Sequence, residues 1–239
     1  MSLEAKRVLV VGGGSGIGFA VAAAARENGA NVTIASTDAA RLQAAADRLG
    51  GADHAVLNIT DETAVSAFFA DRPAWDHVVT TAGDWGKVRR GPLAEVAIDD
   101  ARAFFGVRVW GAAILAKHGA AHIAPGGSLT LTSGMSAFQP QKGSVIATAM
   151  AGCVEHLMYG LAVEFAPIRV NAVFPGGVAT EIFQGLPEAM RKAEEARFEA
   201  QPIPRIARPE EVAEAYLYLM RCGYTTGQAI KVDGGGELA

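Results

Sequence analysis

Short apolar runs rich in β-branched residues alternate along the chain with longer stretches whose apolar residues recur at helical spacing. Several runs are apolar at nearly every position, which is typical of strands covered on both faces of a sheet. The predicted strands are Arg7–Val11, Asn31–Ala35, His54–Leu57, His77–Thr80, Ser128–Thr132, Arg169–Val173 and Ala229–Val232. Strand and helix signals therefore alternate over the whole chain.

The stretches between these runs carry the start and stop signals of helices. Asp38 and Asp61 are placed to cap helices, Gly29 and Gly50 follow helix ends, and Pro209 precedes two acidic residues in a first turn. The predicted helices are Phe19–Asn28, Asp38–Leu49, Asp61–Ala70, Asp99–Ile123, Ser144–Phe165 and Pro209–Met220. This alternation predicts an α/β fold with a doubly wound parallel sheet.

Composition narrows the class of protein. Of 239 residues, 50% are hydrophobic and 19% charged, and no linker divides them, so one domain over residues 1–239 is expected. The net charge of -4 and the lack of a basic stripe argue against a nucleic-acid partner. Cys153 and Cys222 belong to no metal-type cluster, so no metal is expected and both thiols are expected to be reduced and buried. Without an apolar leader or a run approaching roughly 18 residues, we expect a cytoplasmic protein with no membrane partner.

A glycine-rich turn follows the first predicted strand. Its spacing is Gly12-x-x-x-Gly16-x-Gly18, and a helix is predicted directly after it. Glycine permits positive φ and lets a pyrophosphate approach the backbone, where N–H groups at the helix start can bind it. A turn that merely packs, without a ligand, would look similar. Its place after the first strand, within a continuing alternation, favours dinucleotide binding.

Further motifs stand at the ends of later strands. They are Ala82-Gly83, the Arg-Val-Asn-Ala-Val-Phe-Pro-Gly segment at 169–176, Thr226-Gly227-Gln228, and Val232-Asp233-Gly234-Gly235. In combination with the glycine turn they resemble the short-chain dehydrogenase/reductase family over essentially the whole chain. The resemblance implies a Rossmann fold with a seven-stranded sheet, NAD(H) or NADP(H), a small-molecule substrate, and a homodimer or homotetramer. Two departures are Val11, where the family usually has Thr, and Thr80-Thr81, where it has Asn-Asn.

The resemblance also implies which residues hold the cofactor. These are Gly12, Ser15, Gly16, Ile17, Gly18, Ser36, Thr37, Arg41, Asn58, Ile59, Ala82, Gly83, Pro175, Gly176, Val178 and Thr180. An acid at the end of the second strand would bind a ribose 2′-hydroxyl and repel a 2′-phosphate, but Ser36-Thr37 stands there. Asp38 is interpreted as the helix cap, and Arg41 is one turn further on, within reach of a phosphate. The pattern favours NADP(H) over NAD(H) and excludes neither.

The family transfers a proton through a Tyr whose pKa, about 10 in isolation, is lowered by a Lys four residues later. A Ser and an Asn complete this tetrad. Alignment of the flanking segments places Ala147 at the Tyr position, Ala151 at the Lys, Gly134 at the Ser and Arg108 at the Asn. Independently of that alignment, no tyrosine in the chain has a lysine four residues later. A wider spacing, that of enoyl reductases, occurs at Tyr224 and Lys231 in the last strand and is interpreted as coincidence.

Few polar candidates remain around the vacated positions. Ser133 and Ser136 flank the Ser position and are either site residues or turn residues after a strand. Arg108 either fills the space left by small neighbours or clamps an anion, because guanidinium binds carboxylate bidentately. Lys142 is either a loop charge or a displaced cation. Residues 180–204, rich in Glu, Arg and Ala, are expected to form a lid over the site, or else a surface helix.

Two functions stay open. The first is an oxidoreductase that acts on a small carbonyl or alcohol by hydride transfer, with a proton from water or from the substrate. The second is a non-catalytic dinucleotide-binding sensor or scaffold, since a fold alone does not fix a function. A methyltransferase with a similar glycine turn is disfavoured by Pro175-Gly176 and the Val232–Gly235 segment.

Overall fold

A computed structural model describes residues 2–83 and 91–238, apart from the side chain of Ile182. Seven parallel strands form one sheet in the order β3-β2-β1-β4-β5-β6-β7, which confirms the predicted doubly wound sheet. The strands are β1 (Arg7–Val11), β2 (Asn31–Ser36), β3 (Asp53–Val56), β4 (Trp75–Thr80), β5 (Ile123–Thr132), β6 (Arg169–Pro175) and β7 (Ala229–Val232).

The fourth and fifth strands begin earlier than predicted. Trp75 pairs with Ile123, and a register irregularity separates this pair from the regular ladder that starts at His77. The prediction stopped at the Pro-Gly-Gly stretch before Ser128, whose composition is typical of a turn. Gly127 lies so close to the backbone that a Cβ there would stand 2.3 Å from a carbonyl oxygen of β4. Glycine therefore lets the strand continue through this stretch.

Helices cover both faces of the sheet. They are α1 (Gly16–Glu27), α2 (Ala39–Arg48), α3 (Glu62–Ala70), α4 (Ile98–Phe104), α5 (Ala112–Gly119), α6 (Val145–Glu164), α7 (Glu181–Gln184), α8 (Glu188–Glu199) and α9 (Pro209–Arg221). The predicted caps are present, because Asp38 accepts a hydrogen bond from Arg41 N–H and Asp61 from Ala64 N–H. One apolar cluster includes Phe69 and Leu115, and another on the opposite face includes Val21 and Tyr216.

The single long helix predicted over Asp99–Ile123 is wrong. A π-helical segment, Gly106–Gly111, separates α4 from α5, and Ile123 already belongs to β5. Gly111 faces Ile59 so closely that a Cβ would lie 2.8 Å from its side chain. Wide π-turns often occur at functional sites, and this one carries Arg108.

Two expectations about surface and environment need correction. Among the described residues, one helix, α6, is long and apolar enough to cross a membrane, which the sequence reading overlooked. Five of its residues are buried, and core helices of globular proteins pass the same test, so this is weak evidence for a membrane. Cys153, expected to be buried, is exposed on α6, and Cys222 at the end of α9 is half-buried. Both thiols are free.

Candidate functional site

The turn after β1 has the backbone that its glycines predict. Gly12 and Gly16 have φ values of +89° and +52°, in the left-handed region that other residues avoid. A Cβ on Gly12 would lie 2.6 Å from Thr81 Oγ1, and one on Gly18 would lie 2.2 Å from the carbonyl oxygen of Gly12. This segment, residues 12–18, is called the phosphate turn below. Glycine is therefore required in this turn for two reasons: a side chain would collide with neighbouring atoms, and the backbone has positive φ at two of the positions.

The phosphate turn leads into α1 with a helix N-terminus suited to an anion. Ser15 is the N-cap residue in an extended conformation, and its side chain makes no capping hydrogen bond. The first backbone N–H groups of a helix and its dipole favour negative charge. Across the opening, a Cβ built on Gly16 would lie 3.1 Å from the Thr180 methyl carbon and 3.5 Å from a Glu181 carboxylate oxygen. A cradle that side chains would fill, facing a helix start, fits a pyrophosphate.

The end of β2 lies beside this turn. A Cβ on Gly14 would stand 3.7 Å from Ser36 Oγ and 3.8 Å from Arg41 Cγ, so these groups share one corner. Thr37 follows Ser36 and is exposed. Arg41 also lies 3.4 Å from the Asp38 carboxylate in an exposed pair. The corner thus holds a hydroxyl and a cation, with the capping acid within 4 Å of that cation.

Asn58 and Ile59, in the loop after β3, differ in exposure. Asn58 is exposed, and its Oδ1 accepts hydrogen bonds from the Thr60 N–H at 3.1 Å and the Thr60 hydroxyl at 2.8 Å. Ile59 is 3% exposed and packs against Gly111 of the π-helical segment. The structure therefore places Asn58 at the surface and Ile59 in the wall that joins β3 to the π-turn.

The ends of β4 and β6 bring further candidates to the same edge of the sheet. Gly83 is exposed and Ala82 half-buried after β4. Pro175 ends β6, and Gly176 N–H donates to the Val232 carbonyl at 2.9 Å. Val178 is buried and bridges in parallel to Ala207. Because the carboxyl ends of parallel strands share one edge, these residues and the phosphate turn line a common crevice.

Arg108 lies where the residues that follow β4 and β5 meet, a region called the substrate side below. A Cβ on Gly83 would stand 2.4–2.7 Å from Nη2, Cζ and Nε of Arg108, so the guanidinium lies flat on the glycine. Its Nη1 donates a long hydrogen bond, 3.4 Å, to the carbonyl oxygen of Ser133, and the side chain takes part in further interactions. Arg108 thus spans the gap between the residues that follow β4 and β5.

The two candidate serines are used for structure. Ser133 Oγ donates to the Ala151 carbonyl and Ser136 Oγ to the Ala147 carbonyl, each at 3.2 Å. These bonds tie the loop after β5 to α6, in agreement with the alternative that assigned them to turn chemistry. Gly134 between them has open space, because no atom of the described residues, its chain neighbours apart, lies within 4 Å of a Cβ built there.

The other candidates lie further out. Lys142 is exposed in the loop before α6. Residues 180–204 form α7 and α8 instead of one helix, and Phe198 at the end of α8 is buried against Gly177. After α8, the Ile203 N–H donates to the Gly234 carbonyl at 2.9 Å. The segment is therefore anchored at its second end, and its role as a lid stays a prediction.

Sequence reasoning missed Thr81 and Glu181. Thr81 occupies a position where the family has Asn, and its Oγ1 packs on two glycines of the phosphate turn. Glu181 directly follows Thr180 and faces Gly16. Each of the two residues is adjacent in sequence to a residue already assigned to the site, and this adjacency was the signal that could have identified it. Within residues 2–83 and 91–238, no group of three His, Cys, Asp or Glu side chains is placed to hold a metal ion.

Comparison with known proteins gives a consistent result. The family model described as Enoyl-(Acyl carrier protein) reductase matches residues 12–237. "Short-chain dehydrogenase/reductase malC" of Malbranchea aurantiaca is 36% identical over 254 residues, 98% of this chain and 95% of the relative. Cis-4-hydroxycyclohexanecarboxylate dehydrogenase of Sinomonas cyclohexanicum is also 36% identical, over 97% of this chain and 96% of the relative. A crystal structure of a small-chain dehydrogenase in complex with NADPH superposes with a TM-score of 0.84 at 32% identity, covering 99% of this chain and 100% of that one.

Proposed function

Because the chain belongs to the short-chain dehydrogenase/reductase family, whose members are NAD(P)-dependent oxidoreductases of small molecules, we propose that it is an NADP(H)-dependent oxidoreductase. Its substrate would be a small carbonyl or alcohol. The nicotinamide supplies or accepts the hydride when the nucleotide is bound. The observation that carries the proposal is the phosphate turn, whose Gly12, Gly16 and Gly18 keep a cradle open before the N-terminus of α1.

The corner at Ser36 and Arg41 supports the preference for NADP(H). A 2′-phosphate placed there would meet the Ser36 hydroxyl and the Arg41 guanidinium, both adjacent to Gly14. No acid occupies the end of β2 to repel it, since Asp38 is used as the cap of α2. A charge-assisted hydrogen bond to phosphate contributes roughly 1.5–3 kcal/mol. One relative of known structure is a complex with NADPH.

In this proposal the usual tetrad is replaced, so its proton route is replaced too. Ala147 and Ala151 cannot donate or hold a proton, and Gly134 has no hydroxyl. Arg108 stays protonated at any working pH, so it cannot act as the acid. It can, however, stabilise negative charge that develops on a substrate oxygen. The proton would then come from water or from an acidic group on the substrate itself.

Arg108 also suggests the charge of the substrate. Its guanidinium lies over Gly83 and beside Ser133, next to a position, Gly134, with open space around it. In this proposal, small residues at the positions of Gly134, Ala147 and Ala151 would leave room near this cation for a carboxylate. We infer a small anionic substrate for this site.

A non-catalytic nucleotide sensor is the second candidate, and one observation favours it. The hydroxyl of Ser133, the side chain next to the vacated Ser position, is directed at the Ala151 carbonyl and not into the crevice. A protein that only reports the redox state of a nucleotide pool would need the phosphate turn and no acid–base group. The two candidates differ in turnover and agree in nucleotide binding.

Two measurements test the proposal in sequence. Calorimetric titration with NADP⁺, NADPH, NAD⁺ and NADH should give micromolar affinity, roughly -8 kcal/mol, with the NADP pair tighter. A turnover screen should then compare carbonyls that carry a carboxylate with neutral carbonyls of the same size. Binding without any turnover across the screen would support the sensor. No binding of any of the four nucleotides would refute both candidates.

A further inference from the structure

Three residues from three elements form a hydrogen-bonded chain beneath the candidate site. The Thr132 hydroxyl, at the end of β5, donates to the Thr80 carbonyl oxygen, at the end of β4, over 2.6 Å. The Tyr216 hydroxyl of α9 lies 2.7 Å from Thr132 Oγ1. A threonine hydroxyl has one proton, and Thr132 uses it on Thr80, so the Tyr216 O–H must donate to Thr132. The direction of the chain is therefore fixed from α9 through β5 to β4.

These side-chain hydrogen bonds join β4 and β5 beyond the point where the backbone pairing of the two strands ends. The last backbone pair between β4 and β5 is Val79 with Thr130. Thr80 and Thr132 each lie beyond that pair, at the carboxyl ends of the two strands. Side-chain hydrogen bonds therefore join the strands at the level where they enter the crevice.

The groups directly above the chain are those of the candidate site. β4 continues into Thr81, which packs on the phosphate turn, and into Gly83, which Arg108 covers. β5 continues into Ser133, whose carbonyl oxygen accepts from Arg108. The separation of the two strand ends thus decides how the Gly83 backbone and Arg108 face a nucleotide held by the phosphate turn.

Within residues 2–83 and 91–238, the hydrogen bond described for the Tyr216 hydroxyl is the one to Thr132. Tyr216 is 0% exposed within an otherwise apolar cluster, where phenylalanine would fill nearly the same space. Burial raises the pKa of Tyr216 above its ordinary value, while Thr132 and Arg108 oppose that rise, so the group stays a neutral donor. An unpaired buried hydroxyl would cost free energy, and its bond to Thr132 offsets that cost.

We propose that Tyr216 and Thr132 are positioning residues that hold the ends of β4 and β5 at the spacing required for nucleotide binding. The inference rests on the proposed nucleotide site. Loss of either hydroxyl allows the strand ends to populate separations at which the Gly83 backbone is displaced. Only part of the protein population then has the spacing that binds nucleotide, and this smaller fraction weakens the apparent affinity.

The test is calorimetric titration of NADPH into the wild type, Tyr216→Phe, Thr132→Val and the double variant. Tyr216→Phe loses one hydrogen bond and should bind NADPH about threefold more weakly, whereas Thr132→Val loses both and should bind about tenfold more weakly. The double variant should bind no more weakly than Thr132→Val, because Thr132→Val already removes the group that accepts the Tyr216 hydrogen bond. Thr132→Ser keeps the hydroxyl and should bind as the wild type does.

Two controls separate positioning from stability. Tyr218→Phe removes a hydroxyl from the same helix, one that meets Thr225 Oγ1 at 3.4 Å, and should leave NADPH affinity unchanged. Val212→Ala truncates a fully buried side chain of α9 and should lower the Tm without changing affinity. Additive effects of the two single variants, or an affinity loss in Val212→Ala that follows the Tm, overturn the inference. A wild type that binds nucleotide while Tyr216→Phe binds equally well overturns it alone, whereas a wild type that binds none overturns the proposed function with it.

Discussion

The phosphate turn and Gly134, which lie on the two sides of the crevice, differ in the space around their glycines. On the nucleotide side, a Cβ on Gly18 would lie 2.2 Å from a carbonyl oxygen, and Gly12 and Gly16 have positive φ. On the substrate side, a Cβ on Gly134 would meet nothing within 4 Å among residues 2–83 and 91–238 other than its chain neighbours, and Gly134 has an extended backbone that any residue adopts. The phosphate turn is filled to contact, as is Gly83 beneath Arg108, whereas Gly134 has room.

This difference indicates which functions each side can retain. A close-packed cradle loses its function with a single added carbon, so its glycines report a requirement for backbone approach. An open position beside a guanidinium places no such demand on the chain and can accommodate many substrates. Nucleotide binding is therefore the firmer part of the proposal, and the identity of the substrate depends on the looser side.

A matched pair of glycine variants tests the comparison with the largest expected effect. Gly18→Ala should abolish detectable nucleotide binding, because the new methyl group collides with backbone that cannot move independently of the turn. Gly134→Ala should bind NADPH as the wild type does and should retain its Tm. Calorimetry and thermal unfolding of both variants give the answer. Equal nucleotide affinity in the two variants would contradict the contrast between the sides.

Much of the fold follows from local sequence signals. β1 and β7 begin and end at their predicted residues, since apolar runs bounded by glycine and polar residues leave little choice. The π-helical break at Gly106–Gly111 was not predictable from periodicity, because it depends on contact between Gly111 and Ile59, a residue far away in sequence. Tertiary contact decided what helix propensity alone could not.

The candidate site divides in the same way. The phosphate turn could be predicted because backbone conformation and spacing are encoded in adjacent residues. The use of Ser133 and Ser136 to tie a loop to α6 could not, since their acceptors are backbone carbonyls whose direction no sequence pattern specifies. The chain from Tyr216 to Thr80 joins residues 136 positions apart and was equally hidden.

The next test concerns the sheet residues that lie below the two sides of the crevice. In one row across the sheet, Val8 of β1 pairs with His77, which pairs with Ser128, which pairs with Arg169. The row is apolar under the nucleotide side and polar under the substrate side, where His77 Nδ1 lies 2.9 Å from Ser128 Oγ. Burial, with Arg169 nearby, lowers the pKa of His77 from 6.5 to about 4.

Stability should therefore fall in acid through His77. Above pH 6.5 the imidazole is neutral in both states. Between pH 6.5 and about 4 the unfolded chain takes up a proton that the folded chain does not, so up to roughly 3 kcal/mol of unfolding free energy is lost over that interval. Urea unfolding from pH 7.5 to 4 should show this slope, and His77→Gln should flatten it. An exposed control, His54→Gln, should keep the wild-type slope.

Arg108 gives a third test, on the open side alone. Arg108→Met keeps a long apolar side chain and removes the charge, so a carboxylate substrate should bind about 10- to 100-fold more weakly. NADPH affinity should change far less, because the phosphate turn is untouched. A crystal soaked with nucleotide and a small carboxylate should show density at Arg108 that disappears in the variant. Equal substrate affinity in Arg108→Met would mean that the guanidinium only fills space.

The smallest expected effect concerns the outer surface of the substrate side. Trp110 of the π-helical segment is 63% exposed, and Val163 of α6 is 82% exposed, so both segments present large apolar side chains to solvent. A second copy of the chain would cover these side chains, in accord with the predicted homodimer or homotetramer. Val163→Lys should raise the dissociation constant of the oligomer about tenfold, since it places a charge in an apolar contact. Light scattering over a dilution series measures this shift, with Val56→Lys on the exposed edge strand β3 as the matched control on the nucleotide side. A wild type that is monomeric at micromolar concentration would show that these apolar side chains stay open to solvent. The two sides would then differ within the crevice and not in their outer surfaces.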